Sequence, residues 1–224
     1  MDAFEGRVAL ITGASRGFGF AVATAFASRG THVISVGRTV GALESLDDRI
    51  RELGGGTTLV PLDIRDADGV GRLCSEIRER WQHLDFWVHT AVHAPPLSPI
   101  AHSFQSDLTK CLEINVVAVA GLIGAITPLL TPTTGTVVHV DDQAHGGTFH
   151  GAYSASKAAQ RILFETWRDE AAVGHERLLT FSPCPMPTGV RARFYPGEDR
   201  SSLASPEQQA EKLTFQFNSM SPAA

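Results

Sequence analysis

Apolar residues along this chain alternate between short unbroken runs and stretches spaced three and four apart, which predicts strands separated by helices. Residues 8–11 form the first run. From Gly17 the pattern turns helical, with Phe18, Val22, Ala25 and Phe26 at three- and four-residue spacing. Residues 32–36, 57–62, 86–90, 136–140 and 178–181 read as five further strands. Residues 42–53, 66–82, 106–126 and 153–172 read as helices between them. Gly54, Gly55 and Gly56 close one helix, while Pro95, Pro96 and Pro99 force a loop before another. Pro183, Pro185 and Pro187 end regular structure after the sixth strand. Ser205-Pro-Glu-Gln208 has the form of a capping box and starts a last helix reaching about Phe215. Such alternation predicts an α/β fold, a parallel sheet of six or seven strands with helices on both faces. No repeat or linker divides the chain, so residues 1–224 read as a single domain.

At 224 residues and 43% hydrophobic content, the chain can bury one large core. A net charge of −5 with no run of basic residues argues against a nucleic-acid surface. Cys74, Cys111 and Cys184 are widely spaced and odd in number, which suits reduced thiols in a cytoplasmic protein. The first six residues lack the basic and apolar regions of a signal peptide. Residues 114–130 approach the length of a membrane span but contain Asn115, Thr127 and Pro128. A helix buried between a sheet and a partner subunit accounts for them better than a membrane does.

The first strand feeds Thr12-Gly-Ala-Ser-Arg-Gly-Phe-Gly19 into a helix start. Free backbone N–H groups and the positive end of a helix dipole meet there, an arrangement that binds phosphate. The Gly-x-x-x-Gly-x-Gly spacing differs from the Gly-x-Gly-x-x-Gly fingerprint, and a plain strand-to-helix turn shares this composition. The second strand runs into Gly37-Arg38-Thr39 without the carboxylate that binds the ribose of NAD. Arg38, with Arg16 in the glycine loop, suits the 2′-phosphate of NADP; two solvated arginines are the simpler alternative. Asp63, after the third strand, is placed to meet an adenine amino group. Tyr153 and Lys157 lie one turn apart on one helix face. An ammonium beside the phenol would lower its pKa from about 10 and make it a proton carrier near neutral pH.

The glycine loop and Tyr153-Ser-Ala-Ser-Lys157 together resemble the short-chain dehydrogenase/reductase family, over residues 6–193. The resemblance implies a Rossmann-type doubly wound sheet, NADP(H) as cofactor, and a small carbonyl or alcohol substrate. It implies that Tyr153 is the general acid/base and that Lys157 holds the nicotinamide ribose. It further implies that Asn115 anchors a water relay and that Thr188 binds the carboxamide. Gly13, Ser15, Arg16, Gly17, Phe18, Gly19, Arg38, Asp63 and Ala91 would line the cofactor. The helices at 106–126 and 153–172 are those through which members associate, which implies a homodimer or homotetramer. Residues from about 190 onward correspond to a substrate-covering segment and tail.

Three positions depart from the family pattern. Where a Ser about thirteen residues before the Tyr orients the substrate carbonyl, this chain has Asp142, eleven residues before Tyr153. The loop between them, 143–152, is correspondingly short. Asn-Asn-Ala-Gly becomes His89-Thr90-Ala91-Val92, and Pro-Gly becomes Pro183-Cys184. His89, His93, His139, His145 and His150 cluster around the same region without zinc-ligand spacing. His145 and His150 are candidate substrate contacts, with ordinary core or loop histidines the plainer reading. Two functions are therefore expected: an NADP(H)-dependent oxidoreductase, slowed if the catalytic candidate Asp142 is ionised and active if burial keeps it protonated and donating as the Ser would, or a catalytically impaired NADP-binding regulatory or structural homologue.

Overall fold

The computed structural model describes residues 3–130, 135–142, 147–171 and 177–220. Six strands, β1 (Val8–Thr12), β2 (His32–Gly37), β3 (Thr57–Pro61), β4 (Phe86–His89), β5 (Thr136–Val140) and β6 (Arg177–Phe181), form one sheet. All neighbours pair in parallel, in the order β3-β2-β1-β4-β5-β6. The helices are α1 (Gly17–Ala27), α2 (Val40–Glu52), α3 (Ala67–Arg80), α4 (Gln105–Leu112), α5 (Ala118–Ile126), α6 (Gly151–Ala171), α7 (Gly189–Phe194) and α8 (Pro206–Met220).

Helices cover both faces because the central strand is apolar on both. Ala9 and Ile11 join one core with residues of α1, α2 and α8, while Val8 and Leu10 join another with residues of α3, α5 and α6. A strand buried on both sides loses the alternation seen in half-exposed strands, which is why residues 8–11 read as an unbroken apolar run. The α8 helix starts at the expected capping box. The Ser205 hydroxyl accepts from the Gln208 N–H at 3.1 Å, and the Gln208 side chain accepts from the Ser205 N–H at 3.0 Å. Phe217 then docks the helix against Phe4, Phe26 and Phe86, with centroid separations of 5.1–5.6 Å.

Two elements differ from expectation. The expected helix at 106–126 is interrupted by a π turn at Glu113–Val117, which places Asn115 at a local change of helical pitch. The proline-rich stretch after β6 also recovers enough order to form α7, capped by the Thr188 hydroxyl accepting from the Arg191 N–H at 3.3 Å. The rod Gln105–Leu129 is long and apolar enough to cross a membrane, and 33% of its most apolar stretch is buried. Its inner side, Ile114, Ala118, Val119, Leu122 and Ile126, packs against the sheet core, while Leu108, Leu112 and Val117 are exposed.

Because every strand is parallel, the C-terminal ends of β1, β2, β4 and β5 lie along one edge. That edge gathers the glycine loop, Arg38, Thr90 and Asp142. In open parallel sheets, ligands bind at this edge, where the strand order reverses between β1 and β4.

Candidate active site

The glycine loop leaves β1 and folds back onto the end of β4. Gly13 has φ +91°, and a Cβ there would lie 2.5 Å from the Ala91 nitrogen. A Cβ on Gly19 would lie 2.3 Å from the Gly13 carbonyl oxygen and from Thr90 Oγ1. These two glycines let the loop pack against itself and against β4, so their need is internal as well as toward any ligand. Gly17 opens α1 at φ +57°, with Thr188 Cγ2 3.4 Å from the place of its absent Cβ. The loop and the segment after β6 therefore meet. The first turn of α1 carries no acidic residue, and its N-cap, Arg16, gives no side-chain cap, which suits a bound anion. Phe18 belongs to the core, stacked on Phe181 at 5.6 Å, so only its backbone is available to a cofactor.

Across the edge, Ser15 packs against Gly37, where a Cβ would approach within 2.9 Å. Arg38 is exposed, and one guanidinium nitrogen lies 3.9 Å from Asp63. The Asp63 carboxylate is forked by Arg65, whose Nε and terminal nitrogen donate at 3.1 and 2.8 Å. That fork holds the Asp63 pKa below the usual carboxylate range. Arg65, which the sequence reading passed over, thus occupies both carboxylate oxygens of the residue expected to meet the adenine.

The second cluster centres on α6. Asn115 is fully buried and fastened to the chain leaving β4: its Oδ1 accepts from the His93 N–H at 2.7 Å, and its Nδ2 donates to the His93 carbonyl and Ser156 Oγ, both at 2.9 Å. Lys157 Nζ donates to the Val140 carbonyl at 3.0 Å and to Gln160 Oε1 at 2.5 Å. The Gln160 Nε2 donates to the Asn115 carbonyl at 2.8 Å. Lys157 and Asn115 are thus joined through a side-chain amide. Burial pulls the Lys157 pKa down to about 8, opposed by the charges of Asp141 and Asp142.

Tyr153 behaves differently from the expectation drawn from its spacing to Lys157. Its hydroxyl donates to Asp142 Oδ2 at 3.1 Å. Burial, followed by the Asp142 charge, pushes the phenol well above its ordinary range. The expected lowering by Lys157 is corrected, because that ammonium is directed at Val140 and Gln160. Asp142, in the place of the expected Ser, accepts from the Tyr and offers it a like charge should the proton leave.

The Tyr153 ring lies in an apolar pocket. Phe194 of α7 meets it edge-on at 4.9 Å, Ala94 completes the buried cluster, and Val92 packs against it. The departure at Val92 therefore adds a side chain to the wall around Tyr153. The α7 helix is tied over this wall by Arg193, which donates to the Ala94 carbonyl at 2.6 Å. Pro95, Leu97, Phe149 and His150 line an adjoining cavity. His150 faces Phe194 at 4.7 Å, and its Nδ1 lies 2.9 Å from the Thr148 carbonyl. His89 and His139 sit below the site, both buried and both held to a pKa of about 3 by desolvation and then by Lys157. His145 lies outside the described residues, with the rest of 143–146 in the shortened loop. Among the described residues no group of three or more His, Cys, Asp or Glu side chains could hold a metal ion. Cys184 is exposed, and its backbone N–H donates to the Gln209 side chain.

Residues 7–199 match the family model described as short chain dehydrogenase. A fatty acyl-CoA reductase from Acinetobacter baylyi is 30% identical over 160 residues, covering 69% of this chain and 54% of that protein. The chain thus spans about half the length of that relative. A cis-4-hydroxycyclohexanecarboxylate dehydrogenase from Sinomonas cyclohexanicum is 28% identical over 226 residues, covering 96% and 90% of the two chains. A solved short chain dehydrogenase from Shigella flexneri, complexed with NADP, superposes with a TM-score of 0.86 at 28% identity, covering 92% of this chain and 88% of that one.

Proposed function

The chain belongs to the short-chain dehydrogenase family, and from that premise we propose that it is an NADP(H)-dependent oxidoreductase whose proton step is slowed by Asp142. The observation that carries the reading is the convergence of the glycine loop, Asn115, Tyr153 and Lys157 at one sheet edge. The glycine turn and the acid-free start of α1 fit a pyrophosphate, and the exposed guanidinium groups of Arg38 and Arg16 fit a 2′-phosphate. Thr188, seated over Gly17, would hold the nicotinamide end. When bound, the reduced cofactor supplies a hydride to a carbonyl carbon. The Shigella flexneri relative, solved with NADP, supports the same cofactor here.

The protein's own contribution is the proton. Tyr153, its ring held in the apolar pocket and its hydroxyl bonded to Asp142, would give its proton to the substrate oxygen. That transfer leaves a phenolate 3.1 Å from the Asp142 carboxylate. With an effective dielectric near 20 the repulsion is roughly 5 kcal/mol, enough to slow the step by several powers of ten. The same bond favours a second reading, a cofactor-binding regulatory protein with little turnover. A binding titration with NADPH, run beside a turnover screen with varied carbonyls, separates them. Binding with measurable NADPH oxidation supports the enzyme, and binding without it supports the regulator.

A further inference from the structure

Gln160 lies one turn beyond Lys157 on α6, is 1% exposed, and has no role in the function proposed so far. From one buried position its amide meets three groups. Oε1 accepts from Lys157 Nζ at 2.5 Å, Nε2 donates to the Asn115 carbonyl at 2.8 Å, and His139 Nε2 lies 3.3 Å from Oε1. The partners determine which way the amide faces. Reversed, its NH2 would face an ammonium and its oxygen a carbonyl oxygen. The same arrangement makes His139 a donor through Nε2, the neutral tautomer that its burial also requires.

We propose that Gln160 is a positioning residue, tying the Lys157 ammonium to the π turn that carries Asn115 and so fixing where that cation acts. A lysine has a long flexible stem, and a buried ammonium takes its position from its acceptors. The Val140 carbonyl supplies one fixed point and Gln160 Oε1 the other. Both hold the ammonium on groups other than Tyr153, whose hydroxyl is bonded to Asp142 instead. An apolar residue here would free the ammonium to swing, and a carboxylate would hold it more firmly. What the cation acts on, the ribose of a bound dinucleotide, rests on the function proposed above.

The groups facing Lys157 are Asp141 and Asp142 beyond β5, His139 on β5 and His89 on β4, with Tyr153 one turn away on α6. Between pH 7 and 10 both histidines are neutral and Tyr153 keeps its proton, so a change in the lysine titration reports on its acceptors. The chain has three lysines, Lys110, Lys157 and Lys212. Labelling lysine with 13C at Cε therefore gives three signals, and Lys157→Met identifies the one of interest. Gln160→Leu is expected to lower its midpoint by about one pH unit, and Gln160→Glu to raise it by at least as much. A midpoint unmoved in both variants overturns the proposal. If Gln160→Leu does not fold, Gln160→Glu decides alone: a rise supports the role and no rise overturns it. Titrating NADPH into the unmutated protein over the same range tests the cofactor reading separately. Failure to bind at every pH would contradict that reading while leaving the lysine signal to judge Gln160.

Discussion

The Tyr153 hydroxyl donates to the Asp142 carboxylate at 3.1 Å, while Lys157, one turn away on the same helix, is bonded to Val140 and Gln160. The proposed proton carrier is therefore paired with a carboxylate. The consequences reach cofactor binding, assembly, stability and turnover.

Cofactor choice should follow Arg38. A guanidinium–phosphate contact contributes about 1.5–3 kcal/mol more than its loss leaves behind. Arg38→Ala is expected to weaken NADPH binding by roughly ten- to a hundredfold while changing NADH binding little. Fluorescence titration of both cofactors checks this, and equal affinity in the unmutated protein would refute it.

Assembly should follow the exposed apolar residues on the outer side of α4–α6. Leu108, Leu112, Val117 and Ile162 are all exposed there, with Val117 at 66%. Apolar surface of this kind on two neighbouring helices is expected to be covered by a second copy of the chain. Sedimentation velocity at micromolar concentration should give a dimer or tetramer, and Val117→Lys should shift it toward monomer. A monomeric unmutated protein would rule the interface out.

Acid should unfold the protein earlier than its carboxylates require. His89 and His139 have folded pKa values near 3 against about 6.5 unfolded, so the unfolded chain binds protons first as pH falls. Their stabilising contribution is complete above about pH 6.5 and is lost progressively toward pH 3. By pH 5 each should have cost roughly 2 kcal/mol. His139→Leu should therefore move the acid midpoint to lower pH, measured by circular dichroism against pH. An unchanged midpoint would mean that His139 is protonated in the folded state.

The fold was legible because its signals are local. Residues 8–11, the glycine loop, and the Ser205–Gln208 box each specify their structure within a few residues, and all three formed as read. The pairing of Tyr153 with Lys157 was also local, yet its chemistry was not. Spacing brings two side chains to one helix face but does not say which acceptor each will find. Lys157 found Gln160, on its own helix, because the π turn at Asn115 places a carbonyl there to orient the amide, a contact between two segments far apart in sequence. The helix α7 was missed for the same kind of reason. Six residues after a proline run carry little propensity, and the Thr188 cap and the Arg193–Ala94 bond hold them. Arg65 was missed although its Asp-x-Arg spacing to Asp63 was in plain view.

The most direct test of the account is Asp142→Ser, with Asp142→Asn beside it as a neutral residue of the original size. NADPH-dependent reduction of a generic carbonyl would be measured from pH 6 to 9 in all three proteins. Removing the carboxylate takes away a repulsion of roughly 5 kcal/mol against the departing proton, of which part returns as altered packing. Both variants are expected to gain at least about tenfold in rate. An unmutated protein that is already the faster, and that loses rate in both variants, would show Asp142 to be a proton donor and contradict the account.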